Sequence, residues 1–377
     1  KKRISLAARL AKPIEYLFGT MTYERKNIAA MEAYVPGEQI DSSEIIKLNT
    51  NENPYPPSPC VSEALASADV PRLRQYPPPT AKSLQKTIAA KHNLEPENVL
   101  VTNGGDELLR MAITTFVDPG EKVAIARPTY TLYQVLADAH DAQMVVFELD
   151  SNWNLPGNFG GLLKDAEAKR AFLVNPHSPS GTLRPVEEMS AVAETFRGVL
   201  LLDEAYVDFV EPDAAYSSEA LLEKHENLLI LRSFSKGYSL AGLRMGYGLG
   251  NTSLINPLMK TKDSYNTDLI AQSLADAAIR DQDYARDTWN RVRAERRTVS
   301  AALRGLGFVL PESQTNFVLA TVPNGQKAES LYHALKSRNI LVRYFKNENR
   351  LENKLRITIG TPEENQTLIN ALNELLD

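Results

Sequence analysis

The chain has 377 residues, which is long enough for one large domain and a second, smaller one. Charged residues make up 24% of it and the net charge is −5, so nucleic acid and anionic membrane surfaces are not expected as partners. The single cysteine, Cys60, excludes an internal disulfide and a cysteine-based metal cluster. We therefore expect a globular protein without a metal site, and we expect a cytoplasmic location.

Residues 1–45 are predicted to form an N-terminal arm. The opening stretch, residues 1–20, is basic and amphipathic, and Arg9 and Lys12 interrupt the apolar run that a secretory signal needs. We expect a helix there that packs on the body or on a partner subunit. The arm as a whole is expected to pack against the C-terminal domain or a neighbouring subunit. No apolar run approaches the length of a membrane span.

Between residues 97 and 250, short apolar runs alternate with amphipathic segments. The predicted strands, in chain order, are NVLVT, KVAIA, AQMVVFEL, AFLVN, GVLLLDEA, NLLILRS and MGYGLG. The predicted helices between them are GGDELLRMAITTF, YTLYQVLADAH and PVEEMSAVAETF. This alternation predicts an α/β fold, with a mostly parallel sheet covered by helices on both faces, as a large domain over residues 46–275.

Beyond residue 275 the pattern changes. A long charged helix, RDQDYARDTWNRVRAERRTVSAALRGLG, is followed by a strand, TNFVLATV, and a helix, KAESLYHALKSRN. Two further strands, ILVRYF and KLRITIG, precede a closing helix, PEENQTLINALNELL. This order predicts a smaller α+β C-terminal domain over residues 276–377.

Polar, turn-prone sequences follow four of the predicted strands of the large domain. These sequences are NGGDE, NPHSPSG, DEAY and RSFSK. Because the carboxyl ends of parallel strands meet at one edge of a sheet, the four loops are expected to lie close together. The sequence therefore predicts a functional site at this edge.

Three of these loops contain residues suited to binding a ligand. Gly105 and Asp106 open a predicted helix whose free N–H groups could bind a phosphate, although a plain turn explains the same sequence. Asp203 ends an apolar strand, and a buried carboxylate there needs a partner, which could be a capped loop or a cationic ring nitrogen. Asn175, in a turn fixed by prolines, could donate to a phenolic oxygen. His177 shows no paired spacing with another histidine and is interpreted as a turn residue.

The fourth loop centres on Lys236. Ser233, Ser235 and Arg244 supply two hydroxyls and a guanidinium, which suit a phosphate. Lys236 could be a further phosphate contact or a nucleophilic amine that forms a Schiff base. A solvated loop lysine would leave the other three residues unexplained. A phosphate cradle, a carboxylate for a ring nitrogen, an amide for a phenolic oxygen and an amine together indicate pyridoxal phosphate.

From about residue 27 to the C-terminus, the sequence resembles the fold type I, pyridoxal-phosphate-dependent aminotransferases of class I and II, and within that group the histidinol-phosphate aminotransferases. His177 and Ser178 stand where the family usually has two asparagines, and Ser239 replaces a usual glycine. The motifs that carry the resemblance are YVPG, LNTNENPYPPSP, YP…LQKTIAAKHNL, NGGDELL, PTYTLY, NPHSPSGT, DEAYVDF, RSFSKGYSLAGLRMGY, YNTDLIAQ, TNFVL, ILVRYF and LRITIGT. The resemblance implies transfer of the amino group of L-histidinol phosphate to 2-oxoglutarate, in histidine biosynthesis.

The resemblance also implies a role for each candidate residue. Lys236 would bind the cofactor covalently and move the proton, and Asp203 would pair with the pyridinium nitrogen. Tyr206 and Asn175 would hydrogen-bond the phenolic oxygen, and Tyr130 would stack on the ring. The implied catalytic residues are thus Lys236, Asp203 and Tyr206.

Further implied contacts concern the cofactor phosphate and the substrate. The phosphate contacts within one chain are Gly105, Asp106, Ser233, Ser235 and Arg244. Tyr55 would reach the phosphate from a second subunit, which implies a homodimer with shared active sites. Arg356 stands where the family has the arginine for the substrate anion, and Arg343 and Tyr34 would assist it. The implied partners are therefore an amino donor and a 2-oxo acid.

Other functions would fit part of this pattern. Aromatic or broad-specificity aminotransferases and threonine-phosphate decarboxylase share nearly all of the motifs, and the decarboxylase would release carbon dioxide without needing a keto-acid acceptor. A transcription regulator with an aminotransferase-like domain would need about 60 or more basic residues before the motifs for binding DNA. The arm of roughly 25 residues that precedes the motifs is expected to be too short for that.

Overall fold

The computed structural model describes residues 23–40, 42, 44–346 and 348–376. The helix predicted within residues 1–20 lies outside this part of the chain. Over the described residues, no helix combines the length and the apolar character needed to cross a bilayer.

The strands follow one another along the whole described chain. They are β1 (Ile46–Leu48), β2 (Val99–Thr102), β3 (Lys122–Arg127), β4 (Gln143–Glu148), β5 (Arg170–Val174), β6 (Val199–Asp203), β7 (Leu228–Ser233), β8 (Gly246–Gly250), β9 (Phe317–Thr321), β10 (Ile340–Tyr344) and β11 (Lys354–Thr358). The α-helices are α1 (Lys26–Ala30), α2 (Pro59–Ala66), α3 (Lys82–His92), α4 (Gly104–Phe116), α5 (Leu132–His140), α6 (Phe159–Asp165), α7 (Val186–Thr195), α8 (Thr252–Thr261), α9 (Leu269–Arg280), α10 (Gln282–Gly305), α11 (Ala328–Lys336) and α12 (Pro362–Leu376).

The larger sheet has seven strands in the order β2-β8-β7-β6-β5-β3-β4. β3, β4, β5, β6 and β7 pair in parallel, whereas β8 is antiparallel to both of its neighbours. All seven strands predicted between residues 97 and 250 are present. The predicted mostly parallel α/β fold is therefore confirmed. Since β8 runs backwards, its amino end lies at the same edge as the carboxyl ends of the parallel strands.

Alternating apolar side chains give this sheet two buried faces. On β6, Leu201 packs in a core cluster with α4, α5 and α8, while Leu200 and Leu202 pack in a second cluster with α3, α6, α7 and α9. All three leucines are fully buried. Because side chains alternate along a strand, an apolar run on a central strand can bury both faces of a sheet, as the sequence predicted.

Helix α4 packs unusually close to β8, because the strand presents glycines to it. A Cβ on Gly246 would lie 2.9 Å from the backbone of the first turn of α4, and a Cβ on Gly248 would lie 2.9 Å from the Leu108 side chain. The intervening Tyr247 and Leu249 point to the opposite face, where they are buried. The glycines thus let the amino end of α4 reach the functional edge of the sheet.

The smaller sheet has four strands in the order β1-β10-β11-β9. β9, β10 and β11 pair antiparallel, and β1 pairs in parallel with β10 through Ile46 and Ile340. β1 thus pairs within the smaller sheet, although the sequence assigned its residues to the large domain. The domain bounds at residues 46 and 276 stay a prediction.

The described part of the arm contacts one helix that packs on the larger sheet and one that packs on the smaller sheet. At the start of α1, the guanidinium of the preceding Arg25 and the Asn27 amide donate to the carbonyls of Ala139 and Asp138 at the end of α5, at 2.6 and 2.8 Å. Further on, Glu38 accepts a hydrogen bond from the Tyr332 hydroxyl of α11, at 3.0 Å. The arm therefore packs against the C-terminal part at Glu38, as predicted, but against the large sheet's helices at α1.

Candidate active site

A cavity of about 380 Å³ lies where the carboxyl ends of β5, β6 and β7 face the smaller sheet. The structure brings twelve of the fourteen predicted site residues to its walls. They are Tyr34, Gly105, Asp106, Tyr130, Asp203, Tyr206, Ser233, Ser235, Lys236, Arg244, Arg343 and Arg356. Within the described residues, no group of three or more histidine, cysteine, aspartate or glutamate side chains is placed to hold a metal ion.

One corner of the cavity is suited to an oxyanion. Gly104 begins α4 with a φ of +74°, and a Cβ there would lie 2.7 Å from Nη2 of Arg244. That guanidinium also approaches Oδ2 of Asp106 and Oγ of Ser235, both at 3.4 Å. Ser233 lies alongside, and its Oγ accepts the backbone N–H of Ser235 at 3.1 Å. Unpaired N–H groups of a helix amino end, two hydroxyls and a guanidinium therefore converge.

Lys236 extends into the cavity from the loop after β7. Its Nζ donates to the backbone carbonyl of Thr50 at 2.9 Å. Burial and the nearby cation of Arg356 lower the pKa of the Lys236 amine to about 8, although the Glu52 carboxylate opposes this shift. A substantial fraction of the amine is therefore neutral near physiological pH, and only the neutral amine can act as a nucleophile or a base.

The lowered pKa predicts that Lys236 reacts with a labelling reagent at a lower pH than other lysines do. Under trace acetylation of the cofactor-free protein, Lys236 should reach half of its maximal reactivity near pH 8, because its amine is mostly protonated below this pH and mostly neutral above it. Ordinary lysines reach that point at about pH 10.4. Peptide mass spectrometry across a pH series measures this, with exposed Lys260 as the reference in the same digest. Reactivity at Lys236 that begins only above pH 10 would contradict the burial of its amine.

Asp203 stands at the end of β6 with only 6% of its surface exposed. The Tyr133 hydroxyl donates to Oδ2 at 2.7 Å, and the backbone N–H of Ala205 donates to Oδ1 at 3.1 Å. Burial raises the pKa of Asp203 to about 6, and the two hydrogen bonds oppose the shift. A buried carboxylate that lines a cavity is suited to pairing with a cationic nitrogen.

Tyrosine side chains form part of the cavity wall. The Tyr130 ring makes edge contacts with Tyr34 and Tyr133, with centroids 5.8 and 5.6 Å apart. The Tyr206 hydroxyl accepts a hydrogen bond from the Asn51 amide at 3.0 Å. Burial raises the pKa of both Tyr130 and Tyr206, so both hydroxyls keep their protons and can donate.

Two arginines face the cavity from the smaller sheet. Arg343 on β10 and Arg356 on β11 are direct partners in the antiparallel register. Arg356 donates to Oγ of Ser178 at 3.4 Å and to the Asn49 carbonyl at 3.2 Å, while its buried Nε has no partner among the described residues. Burial lowers the pKa of Arg356. A buried guanidinium at a cavity wall, with an N–H group that has no hydrogen-bond partner among the described residues, is suited to an anionic ligand.

Two predicted residues do not line this cavity. Asn175 is fully buried, and its side-chain amide exchanges hydrogen bonds with the backbone of Arg184 at 3.1 and 2.8 Å. Tyr55 is buried beneath the Arg291 guanidinium, 3.7 Å from its ring centroid. The cofactor contacts assigned to Asn175 and Tyr55 stay predictions. The interpretation of His177 is confirmed, since it is buried and hydrogen-bonded within its own turn and to a neighbouring carbonyl.

Several lining residues were missed by the sequence reasoning. Asn49, Thr50 and Asn51 come directly after β1, and all three line the cavity. They belong to the LNTNENPYPPSP motif, from which only Tyr55 was assigned a role. The signal was present, because a polar tract after a short apolar run is the same pattern that identified the other loops. Phe345, which follows β10, was also missed.

The sequence pattern of a known family, described as aminotransferase class I and II, matches residues 43–372. The chain is a class I and II aminotransferase. Histidinol-phosphate aminotransferase 1 of Nostoc sp. is 43% identical over 356 residues, which is 94% of this chain and 98% of the relative. The histidinol-phosphate aminotransferase of Geobacter sulfurreducens is 39% identical over 355 residues, which is 93% of this chain and 99% of the relative.

The fold of this aminotransferase is also that of solved structures. A crystal structure of histidinol-phosphate aminotransferase from Sinorhizobium meliloti, in complex with pyridoxal-5'-phosphate, matches with a TM-score of 0.84. The match covers 95% of this chain and 98% of the other at 24% sequence identity, so it bears on the fold alone. The predicted family and the predicted fold type I architecture are both confirmed.

Proposed function

We propose that this aminotransferase uses pyridoxal phosphate to move the amino group of L-histidinol phosphate to 2-oxoglutarate. The observation that carries the proposal is one cavity in which a lysine amine of low pKa faces two arginines, in a chain 43% identical to an enzyme of that name. The amine provides the proton chemistry and the arginines provide the anion site. We place the enzyme in the cytoplasm, which cell fractionation would test.

The residues present fit the cofactor. The oxyanion corner, formed by the first turn of α4 with Ser235 and Arg244, would hold the phosphate. Because Gly104 has no Cβ, the Arg244 guanidinium can lie close to this turn. Asp203 would hold the ring nitrogen and Tyr130 would lie against the ring. When bound, pyridoxal phosphate supplies an electron sink for the negative charge left when the substrate loses its α-proton.

The chain's own groups then handle the proton and the orientation. The neutral Lys236 amine would take the α-proton from the amino donor as a general base. In the second half-reaction it would donate a proton, as a general acid, to the carbon of the 2-oxo acid that receives the amino group. Asp203, as a carboxylate, keeps a proton on the ring nitrogen. The Tyr206 hydroxyl would hydrogen-bond the phenolic oxygen, and Asn175 would do so if its second amide hydrogen turns toward the cavity.

Substrate binding is assigned to the smaller sheet. Arg343 and Arg356 present adjacent guanidinium groups, which match the phosphate of the donor and a carboxylate of the acceptor. Tyr34 closes the same side of the cavity with its edge against Tyr130. One anion site would then serve both half-reactions, because both substrates carry an anionic group.

We propose a homodimer in which Tyr55 reaches the cofactor phosphate of the partner subunit. A surface suited to the dimer contact lies near the segment after α2, where Tyr76 and Tyr265 stack with centroids 4.3 Å apart while remaining exposed. Other large apolar side chains exposed in α2 and the segment after it are Leu65, Val70 and Leu73. Exposed apolar groups of this size are typical of interaction surfaces. Light scattering should give twice the monomer mass.

Replacing Gly104 by alanine should weaken the binding of pyridoxal phosphate by about tenfold or more. The added Cβ is strained at a φ of +74° and would lie 2.7 Å from the Arg244 guanidinium, which must then move away from the phosphate. Equilibrium titration of the apoprotein measures the effect. Gly242 is a matched control, because a Cβ there meets open space. Equal affinities for the two variants would contradict the phosphate assignment.

A panel of amino donors tests the substrate. The purified enzyme would be assayed with histidinol phosphate, phenylalanine and threonine phosphate, each with 2-oxoglutarate, and carbon dioxide release would be followed in parallel. We expect glutamate to form fastest with histidinol phosphate and no carbon dioxide to be released. A preference for phenylalanine would favour an aromatic aminotransferase, and carbon dioxide from threonine phosphate would favour the decarboxylase.

A further inference from the structure

Tyr133, in the first turn of α5, lies directly behind Asp203. Its side chain is fully buried and is absent from the cavity wall. Its hydroxyl donates to Oδ2 of Asp203 at 2.7 Å. Across the described residues, the only other hydrogen bond to this carboxylate comes from the backbone N–H of Ala205. Tyr133 is thus the one side chain in that part of the chain that hydrogen-bonds Asp203.

The Tyr133 ring is held on two sides. It stacks on Phe172 with centroids 4.6 Å apart and planes 3° from parallel, and it makes an edge contact with Tyr130 at 5.6 Å. Phe172 is held in turn by the guanidinium of Arg170, 4.6 Å from its ring centroid. Because close packing leaves the ring no room to swing, its hydroxyl is fixed at the Asp203 carboxylate.

We infer that Tyr133 is a positioning residue for the proposed reaction, whose hydroxyl fixes the orientation of the Asp203 carboxylate and keeps that carboxylate charged. The inference rests on the proposed function, because it assigns Asp203 to the cofactor ring nitrogen. Tyr133 itself touches neither cofactor nor substrate in this arrangement. It acts through Asp203 alone.

The electrostatics of the pair support this role. Burial raises the pKa of Asp203, and the hydrogen bond from Tyr133 lowers it, so loss of the hydroxyl would leave the carboxylate easier to protonate. Burial and the charge of Asp203 raise the pKa of Tyr133 well above its usual value. The hydroxyl therefore remains a donor throughout the working pH range.

The other charged and titratable groups around Asp203 belong to several elements. Asp106, at the amino end of α4, raises the pKa of Asp203 through its negative charge. The remaining such groups on the cavity wall are Tyr34, Tyr130, Tyr206, Lys236, Arg244, Arg343, Glu348 and Arg356. All of these groups, and the buried Arg170 that contacts Phe172, are still present in Tyr133→Phe. A change in the pH dependence of that variant therefore reports on the Tyr133–Asp203 pair.

The test compares Tyr133→Phe with Tyr247→Phe in the whole chain. Tyr247 is the control, because its buried hydroxyl hydrogen-bonds Nε2 of His92 at 3.0 Å and neither residue lines the cavity. The dissociation constant of pyridoxal phosphate would be measured for each apoprotein between pH 5.5 and 8.5. We expect Tyr133→Phe to weaken binding roughly 10-fold or more at neutral pH, since a hydrogen bond to a charged group is lost.

The pH dependence gives the second readout. Affinity is lost as the pH falls through the pKa of Asp203, because a protonated carboxyl no longer attracts the ring nitrogen. In Tyr133→Phe this loss should begin at a higher pH than in the unmodified protein, and in Tyr247→Phe it should begin at the same pH as in the unmodified protein. An unchanged affinity and an unchanged pH dependence in Tyr133→Phe would overturn the inference.

A double-mutant cycle separates positioning from packing. In an Asp203→Asn background, Tyr133→Phe should cause no further loss of affinity, because the partner charge is already gone. An equal further loss, or a Tyr133→Phe protein that does not fold, would assign Tyr133 to the core and overturn the inference. If the unmodified apoprotein does not bind pyridoxal phosphate, the proposed function itself fails. If the unmodified apoprotein binds it and Tyr133→Phe binds it equally well, only the inference about Tyr133 fails.

Discussion

Replacing Lys236 by alanine should lower the transamination rate by about 10³-fold or more. Among the described residues that line the cavity, Lys236 is the one amine, its pKa is about 8, and a positioned acid–base group contributes about 10²–10⁴-fold. The variant should also lose the visible absorbance of the lysine-bound cofactor. Steady-state assay with histidinol phosphate and an absorbance spectrum measure the two effects.

Two further variants make this result specific to the amine. Lys236→Arg keeps a cation at the position but cannot supply a neutral amine, so it should be as inactive as Lys236→Ala. Lys260→Ala, which removes an exposed lysine on α8, should leave the rate unchanged. A Lys236→Ala protein that kept more than about one-tenth of the activity would show that another group moves the proton.

Replacing Arg356 by alanine should raise the KM for histidinol phosphate about 100-fold. Its guanidinium is buried at the cavity wall, and losing one partner of a buried charge pair costs about 3 kcal/mol. The KM for 2-oxoglutarate should rise as well, because both substrates present an anion to the same place. The kcat should fall less than the KM rises, because Arg356 is assigned to binding the substrate anion, and its effect on the proton chemistry is limited to lowering the pKa of Lys236.

The control for Arg356 is Arg338, which pairs with Glu374 on the surface at 3.6 Å. Arg338→Ala removes an arginine from the same domain without touching the cavity, and both KM values should stay unchanged. If Arg356→Ala gave an unchanged KM for both substrates, the anion site would have to be assigned to Arg343 alone. A rise for only one substrate would indicate separate sites.

Much of the fold was predictable because its signal is local. A short apolar run bounded by turn residues, such as GVLLLDEA, favours a buried central strand, and the polar residue that ends each run marks the functional edge. Lys236, Asp203 and Arg244 could therefore be assigned to one site before any distance was known. Arg244 was assigned to this site because it follows Lys236 closely in the sequence, although nothing in that spacing shows that β8 runs backwards.

The parts that could not be predicted depend on long-range contacts. β1 is three residues long and is specified by its pairing with β10, some 290 residues later, so local patterns could not assign it to the smaller sheet. Tyr133 was visible in PTYTLY, but its bond to Asp203 depends on how α5 packs on the sheet. The two hydrogen bonds between the Asn175 side chain and the backbone of Arg184 likewise depend on the geometry of the turn.

Gly246 and Gly248 fix the register of β8 as well as the approach of α4. The segment that carries Lys236 leaves β7 and enters β8 at the same edge, so both of its ends are tied into backbone ladders. A shift of β8 by one residue against β7 would turn Tyr247 and Leu249 toward α4, where even a single carbon lacks room. The loop with the reactive lysine is therefore anchored at both ends by strands that cannot slip past each other.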